Sequence, residues 1–427
     1  MLFKDITYID ENFNTVEHAY VGTKNGVIDY ISLQKPDWGY GEVIDGRGKV
    51  LIPGFVNNHT HAAMTFLRGY GENLPLQEWL FGKVFPFESK WDDNSIYWAG
   101  MLGMAEMMAG GTTSFSDMYM RDNVAIKVAQ DSGMKCNFCN GVVGNGAQRF
   151  KETNEYPVVM ETLEKYGHSK GRVVVDASFH AEYTNSESLI KEIAALAKEN
   201  GYGLHAHASE TKKEVEECKQ RHGLSPIRFM EKCGVFENRV NLAHCVWVDD
   251  DDIRCLAENH VTVTHCPSSN MKLGSGFAPV KKMLDAGVNV ALGTDGASSN
   301  NVLNMFEEMR LAAMIARGQS GDANALSPKD IFKMATVNGA IYQGRTDTGV
   351  IKIGNKADLA VLDFDRPHLT PCYDVLTNIV FAAQASDVVL TMVDGNVLYR
   401  DGQFKSIDMT KVREKVSYFL PKILEQL

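Results

Sequence analysis

The feature that most constrains the fold is an alternation of strand-like and helix-like segments between residues 53 and 350. Short apolar runs rich in β-branched residues are followed by longer stretches with helical spacing. The sequence predicts strands at 50–57, 112–117, 135–141, 172–179, 203–206, 240–243, 261–264 and 289–292. Eight strand–helix units over about 300 residues are typical of a (β/α)8 TIM-type barrel, and a doubly wound open sheet is the alternative.

The polar residues at the strand ends favour the barrel. Helical patterns fall between most of the strands and after the last one, at 96–109, 124–132, 158–166, 186–199, 226–233, 250–258, 279–286 and 305–317. The first, fifth, sixth, seventh and eighth predicted strands each end in His or Asp. A (β/α)8 barrel builds its site from the carboxyl ends of its strands, so we expect these side chains to meet there.

The two ends of the chain instead resemble short strands joined by tight turns. Asn25-Gly26 and Asp394-Gly395 each separate apolar residues, a pattern typical of β-hairpins. Because chain termini often lie close together, we expect one small β-sandwich domain from both ends rather than two separate β pieces. The predicted division assigns 1–52 and 351–427 to this composite β domain, with a C-terminal helix, and 53–350 to the barrel.

Charge and composition exclude several classes of partner. There are 43 Lys and Arg against 54 Asp and Glu, so the formal net charge is −11 and a general nucleic-acid-binding surface is not expected. No apolar run approaches the about 20 residues of a membrane helix, and no signal pattern begins the chain. We therefore expect a cytoplasmic protein. Eight scattered cysteines fit reduced thiols, and Cys136 and Cys139 are interpreted as buried strand residues rather than half of a zinc ribbon.

The strongest chemical signal is the pair His59 and His61, which ends the first predicted strand. Residues i and i+2 share a face of a strand, so both imidazoles can face one ion. His205 and His207 repeat the pattern at the fifth strand, and Glu210 follows where a carboxylate could move protons beside a metal. Spacing alone does not choose between His205 and His207. We assign His205 to packing because it lies deeper in the strand.

His244, His265 and Asp295 end the sixth, seventh and eighth predicted strands. Each of them alone is typical of a hydrogen-bonded structural residue. Five such strand ends in register are better explained by a metal site. Nitrogen and carboxylate donors suit a divalent ion, with Zn²⁺ preferred and Fe²⁺ and Mn²⁺ as alternatives.

These stretches resemble the amidohydrolase superfamily, a group of metal-dependent (β/α)8 hydrolases. The matching segments are PGFVNNHTH at 53–61, HASET at 207–211, AHC at 243–245, HCPSSNMKLGSGFAP at 265–279 and LGTDGASSNN at 292–301, and the similarity covers nearly the whole chain. The chain is most similar to the branch that contains 5-methylthioadenosine/S-adenosylhomocysteine deaminases and chlorohydrolases.

The resemblance implies a single metal held by His59, His61, His207 and Asp295. A binuclear member of the superfamily usually needs a carboxylated lysine at the fourth strand, and this strand has no lysine. The resemblance also implies that Glu210 is a proton shuttle, that His244 lies beside the attacking water and that Asp295 serves as both ligand and base.

The resemblance further implies substrate contacts from Glu88, His180 and Arg149, as well as from Glu210 and Asp295. Without it, Glu88 equally fits a solvated acid at a helix start, and Arg149 a solvated loop arginine. Some members use a second arginine about a dozen residues before Arg149. That region here reads Cys-Asn-Gly at 139–141, so acceptance of a substrate carboxylate is left open.

We therefore expect a hydrolase that deaminates a 6-aminopurine nucleoside to an inosine-type product and ammonia. The candidate substrates are 5′-methylthioadenosine, S-adenosylhomocysteine, 5′-deoxyadenosine and adenosine. The alternatives are the same chemistry on a guanine-like base, a pterin or a triazine, and a non-catalytic barrel scaffold, which the complete ligand set disfavours. The expected partner is a small-molecule nucleoside, with no nucleic acid and no membrane. A homo-oligomer is compatible with this architecture, but the sequence identifies no interface.

Overall fold

The computed structural model describes all 427 residues, and its strands form three hydrogen-bonded sheets. In chain order the strands are β1 (Leu2–Ile9), β2 (Thr15–Lys24), β3 (Val27–Ser32), β4 (Val43–Asp45), β5 (Lys49–Pro53), β6 (Phe55–Thr60), β7 (Thr112–Tyr119), β8 (Lys135–Asn140), β9 (Val173–Val175), β10 (Ala177–Ser178), β11 (Gly203–Ala208), β12 (Arg239–His244), β13 (Thr262–His265), β14 (Asn289–Leu292), β15 (Leu359–Asp363), β16 (Val388–Val393), β17 (Asn396–Arg400) and β18 (Gln403–Phe404).

The helices mostly alternate with the central strands. They are α1 (Leu76–Trp79), α2 (Phe85–Glu88), α3 (Asp93–Ala109), α4 (Asp122–Ser132), α5 (Tyr156–Tyr166), α6 (Glu187–Asn200), α7 (Lys212–His222), α8 (Pro226–Lys232), α9 (Asp250–Glu258), α10 (Pro267–Lys272), α11 (Val280–Asp285), α12 (Met305–Ser320), α13 (Pro328–Met334), α14 (Val337–Tyr342), α15 (Val375–Phe381) and α16 (Met409–Leu424). None of these helices has the length and apolar character needed to cross a membrane.

The central strands form two parallel sheets in which neighbours follow chain order. One sheet has the order β6-β7-β8-β9 and the other β10-β11-β12-β13-β14. Every residue of β6, β7, β8 and β11 is buried, although many of these residues are polar. All carboxyl ends in a parallel sheet lie at the same edge, and the predicted site residues are at this edge.

Two predicted strands are interrupted in the structure. The segment 50–57 divides at Gly54 into β5 and β6, which belong to different sheets. A Cβ at Gly54 would lie 2.2 Å from Thr113 Cγ2, so this close approach requires glycine. The segment 172–179 divides at Asp176 into β9 and β10. The buried Asp176 carboxylate accepts hydrogen bonds from Asn137 and Tyr342 and pairs with Arg239.

The strands from both chain ends form one mixed nine-stranded sheet. Its order is β18-β17-β16-β15-β5-β1-β2-β3, with β4 also paired to β1. The C-terminal strand β15 lies antiparallel to β5. A separate cluster of 13 buried apolar residues joins side chains of β1 and β2 to side chains of β15 and β16. The sheet therefore has a small core of its own.

A long connection between β6 and α3 covers the carboxyl edge of the parallel strands. It consists of a 3-10 turn at Ala62–Leu67, α1, a π-helical turn at Leu80–Val84 and α2. Its buried members include Trp79, Leu80 and Glu88, which face the cavity described below. No helix was predicted in this segment, because the π-helical turn interrupts the helical period.

Candidate active site

Four side chains of the ligand types favoured by metal ions meet at the carboxyl edge of the parallel strands. His59 lies on β6, His61 follows it directly, His207 lies on β11 and Asp295 follows β14. The candidate ligand atoms of His59, His61 and His207 lie within 4.8 Å of one another, and so do those of His59, His244 and Asp295. Asp295 Oδ1 lies 3.4 Å from His59 Nε2 and 3.2 Å from His61 Nε2.

The three histidines contact the protein through Nδ1, which leaves Nε2 for an ion. His61 Nδ1 lies 2.5 Å from the Met118 carbonyl oxygen, and His207 Nδ1 lies 2.8 Å from that of His180. Since a carbonyl only accepts, Nδ1 carries the hydrogen and Nε2 keeps its lone pair. Buried His59 Nε2 has no hydrogen-bond partner. Three such nitrogens beside a carboxylate fit a Zn²⁺-type ion.

His205 supports His59 instead of joining the ligand cluster. His205 Nε2 lies 3.0 Å from His59 Nδ1 and also receives a hydrogen bond from the Asn241 amide at 3.0 Å. Its ring is 1% exposed, and burial lowers its pKa, so it is neutral at pH 7. His265 is also buried, and its Nδ1 has no hydrogen-bond partner.

The two oxygens of Asp295 have different surroundings. Oδ2 accepts hydrogen bonds from Ser269 Oγ at 2.6 Å and Ser299 Oγ at 2.7 Å. Oδ1 faces the two histidine nitrogens of His59 and His61. The hydroxyls therefore fix the rotation of the carboxylate and leave one oxygen directed at the candidate ion.

Glu210 and His244 lie next to the cluster. Glu210 Oε2 is 3.9 Å from His244 Nε2, and Glu210 Oε1 accepts from Ser275 Oγ at 3.2 Å. His244 Nδ1 lies 2.9 Å from Asn270 Oδ1. Burial raises the pKa of Glu210 above its ordinary value, which suits a carboxyl group that accepts and releases protons.

The backbone turns sharply where these side chains leave the strands. Positive φ angles occur at Ser209 (51°), His244 (75°), Cys245 (44°) and Asp295 (58°), although none of them is glycine. Such conformations cost energy for residues with a Cβ and persist where surrounding contacts hold them. They direct His244 and Asp295 across the ends of the strands.

A cavity of about 480 Å³ opens at this edge and contains the cluster in its wall. His61, His207, His244, Glu210 and Asp295 line one part of it. Apolar side chains line much of the rest, among them Leu76, Trp79, Leu80, Phe85 and Val143. A concave, mostly apolar space with a few polar groups is typical of a small-molecule site.

Glu88 and His180 line this cavity, whereas Arg149 does not. The Arg149 guanidinium forms an ion pair with Glu192, and its side chain is about half exposed. Since Glu192 also accepts the backbone N–H of Phe150 at 3.0 Å, it holds the Arg149 loop away from the cavity. The predicted Arg149 contact is therefore not brought to the site. Arg121, which follows β7, lines the wall instead.

The sequence analysis missed several side chains that contribute to the site. Tyr119 is the last residue of β7, and its hydroxyl donates to Glu88 Oε1 at 2.7 Å. The position at a strand end, which identified the histidines, also applies to Tyr119 and to Arg121 two residues later. Ser269 and Ser299 carried no such signal, because they lie beyond the strand ends.

The cysteines take no part in the candidate metal cluster. All eight are free thiols, and Cys136 and Cys139 are both buried in β8. No cluster of metal-ligand type includes either of them. They therefore pack as apolar residues of a strand.

Comparison with known proteins supports one family over most of the chain. The pattern described as the amidohydrolase family matches residues 50–398. A 5-methylthioadenosine/S-adenosylhomocysteine deaminase of Acetivibrio thermocellus is 39% identical over 425 residues, which are 98% of each chain. A 5′-deoxyadenosine deaminase of Methanothermobacter thermautotrophicus is 42% identical over 374 residues, 87% of each chain.

The fold agrees with these sequence similarities. The crystal structure of an adenosine deaminase from Xanthomonas campestris with bound zinc superposes with a TM-score of 0.94. The two proteins are 28% identical, and the match covers 99% of this chain and 98% of the other. This chain is therefore a member of the amidohydrolase family.

Proposed function

We propose that this protein is a metal-dependent hydrolase that deaminates 6-aminopurine nucleosides to inosine-type products and ammonia. The observation that carries the proposal is the meeting, in one cavity, of a buried His/Asp cluster with a buried carboxyl group at Glu88. The cluster can hold a metal ion that activates water, and the Glu88 carboxylate can accept hydrogen bonds from two sugar hydroxyls. The relatives named as deaminases of adenosine-type nucleosides support the same reaction.

The proposed metal is one divalent ion, preferably Zn²⁺, held by His59, His61, His207 and Asp295. Fe²⁺ and Mn²⁺ accept the same donors. When bound, such an ion lowers the pKa of water from 15.7 to about 7, so a nucleophile is available at neutral pH. The supporting observation is the unpartnered, buried Nε2 of His59 beside Oδ1 of Asp295.

The protons of the reaction are assigned to Glu210 and Asp295. Glu210 takes a proton from the attacking water and delivers it to ring N1, which makes C6 a better electrophile. Asp295 accepts the second proton of the water and passes it to the departing amine, so one water proton stays on N1 and the other leaves in ammonia. His244 orients the attacking oxygen and stabilises the negative charge that develops there.

We place the substrate in the part of the cavity that lies beside the candidate metal cluster. Glu88 accepts hydrogen bonds from the 2′- and 3′-hydroxyls of the ribose. His180 lines the same cavity, with its ring centroid 4.8 Å from that of His207. The apolar side chains of Trp79, Leu80 and Phe85 suit an uncharged 5′ substituent such as deoxy or methylthio. This assignment favours a nucleoside over a free base.

The finer architecture is also a proposal. We propose that the two parallel sheets close into one (β/α)8 barrel of residues 53–350. Asp295 N–H donates to the His59 carbonyl at 3.0 Å, and Asp176 N–H donates to the Phe138 carbonyl at 2.9 Å, which supports closure. We further propose a β-sandwich of residues 1–52 and 351–427, which the 13-residue apolar cluster supports.

The first test is ammonia release from a panel of substrates by protein loaded with Zn²⁺. The panel contains 5′-methylthioadenosine, S-adenosylhomocysteine, 5′-deoxyadenosine, adenosine, adenine, guanine and cytosine. We expect turnover of the adenosines and not of the free bases. Turnover of a base alone would contradict the nucleoside assignment, and silence with metal verified would contradict the deaminase proposal.

A ligand variant tests the metal assignment separately. His207→Ala should lose both bound metal, measured by atomic emission, and activity. The matched control is His168→Ala, which removes an exposed histidine and should change neither quantity. Retention of metal by His207→Ala at the level of the unmodified protein would contradict the ligand set.

A further inference from the structure

We propose that Tyr119 is the positioning residue that sets the requirement for ribose hydroxyls, because it holds the Glu88 carboxylate where a 2′,3′-diol meets it. The inference rests on the proposed nucleoside deaminase function and extends it to one residue that the sequence patterns did not assign. It concerns sugar recognition only and leaves the chemistry at the purine ring unchanged.

The contact between the two side chains is direct and buried. Tyr119 Oη donates to Glu88 Oε1 at 2.7 Å, and the two residues are 5% and 6% exposed. Both line the same cavity as His61, His207 and Asp295. A hydrogen bond to a carboxylate in such surroundings is short and strong.

Tyr119 is the only hydrogen-bonding partner of the Glu88 carboxylate within the protein. No other side chain or backbone N–H donates to either oxygen, so Oε2 is free of protein partners. A carboxylate offers about four acceptor positions, and the tyrosine occupies one of them. The remaining positions can receive two vicinal hydroxyls in a bidentate arrangement.

The two residues belong to different elements, a buried strand and the end of a helical segment. Tyr119 ends β7, which is buried along its whole length and pairs with β6 and β8. Glu88 is the last residue of α2, which directly continues α1 and the π-helical turn in the connection between β6 and α3. The hydrogen bond therefore ties the carboxylate at the end of this helical segment to a buried strand.

Packing and charge support the same role. The Tyr119 ring lies 6.0 Å from the Trp91 ring, so a phenylalanine can keep the aromatic contact and lose only the hydroxyl. Burial raises the pKa of Glu88 to about 7, and the hydrogen bond from Tyr119 acts in the opposite direction. The hydroxyl thus helps to keep Glu88 ionised as well as oriented.

The test compares Tyr119→Phe with the unmodified Zn²⁺ enzyme on 5′-deoxyadenosine and on 2′,3′-dideoxyadenosine. We expect KM for 5′-deoxyadenosine to rise about tenfold with kcat within about threefold, the scale of one lost charge-assisted hydrogen bond. For the dideoxy analogue, which offers no diol, we expect the same KM in both proteins. Adding Tyr119→Phe to Glu88→Gln should raise KM for 5′-deoxyadenosine by less than about twofold.

The control is Tyr97→Phe, which removes the same kind of bond outside the cavity. Tyr97 Oη donates to Asp131 at 2.7 Å, and we expect KM for both substrates to stay unchanged. An unchanged KM in Tyr119→Phe, or an equal rise for both substrates, would overturn the inference while the deaminase function stands. Absence of nucleoside turnover in the unmodified enzyme would overturn both. The dideoxy substrate also reports whether the variant is folded.

Discussion

At the scale of single residues, we predict that the serine hydroxyls that donate to Asp295 control the metal site. Ser269→Ala and Ser299→Ala each remove one donor to Oδ2. We expect each variant to lower kcat about tenfold and to weaken metal binding, the usual size of a lost contact to a metal-ligating group. Steady-state kinetics and competition with a chelator measure the two effects.

The control for this prediction lies next to Ser299. Ser298 is buried, and its hydroxyl has no hydrogen-bond partner. Ser298→Ala should therefore change neither kcat nor metal affinity. Equal effects of all three substitutions would indicate general disturbance of the loop rather than control of Asp295.

The raised pKa of Glu88 predicts that the binding of ribosides depends on pH. Burial raises its pKa to about 7, so the group is neutral below that pH and ionised above it. Only the ionised form accepts hydrogen bonds at both oxygens. We therefore expect KM for 5′-deoxyadenosine to rise roughly tenfold from pH 8 to pH 6, and this dependence should be absent in Glu88→Gln. A pH profile of KM that is identical in both proteins would contradict the assignment.

Arg121 in the cavity wall and Arg149 outside it should affect a substrate with a charged tail differently. Arg149 is paired with Glu192, whereas Arg121 lines the cavity and forms a longer ion pair, of 3.6 Å, with Asp93. Arg121→Ala should raise KM for S-adenosylhomocysteine about fivefold, and Arg149→Ala should leave it within twofold. Kinetics with 5′-methylthioadenosine, which has no carboxylate, serve as the control. The reverse ranking would restore the sequence-based assignment to Arg149.

At the scale of elements, the turn after β14 depends on a glycine. A Cβ at Gly293 would lie 2.8 Å from both the backbone nitrogen and the backbone oxygen of His59. Gly293→Ala should therefore separate β14 from β6, lower stability by about 2 kcal/mol or more and displace Asp295. Thermal unfolding and metal content measure the effects.

A glycine in a helix provides the contrast. Gly318 lies in α12, and nothing is within 4 Å of the position of an added Cβ. Gly318→Ala should be neutral or stabilise the protein by about 0.5–1 kcal/mol, with metal content unchanged. A loss of stability similar to that of Gly293→Ala would contradict the steric argument.

Some helices and strands have the bounds that the sequence predicted, whereas a break within a predicted strand was missed. The predicted helix 250–258 coincides with α9, and the strand 289–292 coincides with β14, because each has a strong local period. The segment 50–57 was predicted as one strand, although Gly54 divides it between two sheets. Apolar residues lie on both sides of this break, and the local sign of it is Pro53-Gly54, a pair typical of turns.

At the scale of the whole molecule, a buried ion cluster joins the C-terminal part of the chain to the parallel strands. Lys135 on β8 lies 2.5 Å from Asp358 and 2.8 Å from Asp394, and it is 5% exposed. Lys135→Met should leave the Asp358 carboxylate buried without its partner and cost about 3–5 kcal/mol of unfolding free energy. Thermal and denaturant unfolding measure the loss.

A surface pair gives the matching control. Lys191 lies 2.7 Å from Glu187 on the exposed side of α6, and Lys191→Met should cost less than about 1 kcal/mol. In both variants the kcat of the folded fraction should be unchanged, since neither lysine lines the cavity. A small effect of Lys135→Met would show that the terminal sheet is held by apolar packing alone.

The sequence by itself determined the alternation of strands and helices, the presence of β structure at both ends and the residue types at the strand ends. These properties depend on local periods and on neighbouring residues, which the chain displays in order. Only the tertiary structure decided that Tyr119 meets Glu88, that Ser269 meets Asp295 and that Glu192 holds Arg149 away from the cavity. Those partners are 26 to 43 residues apart in the chain. Their meeting follows from how strands and loops pack, and no local pattern carries that information.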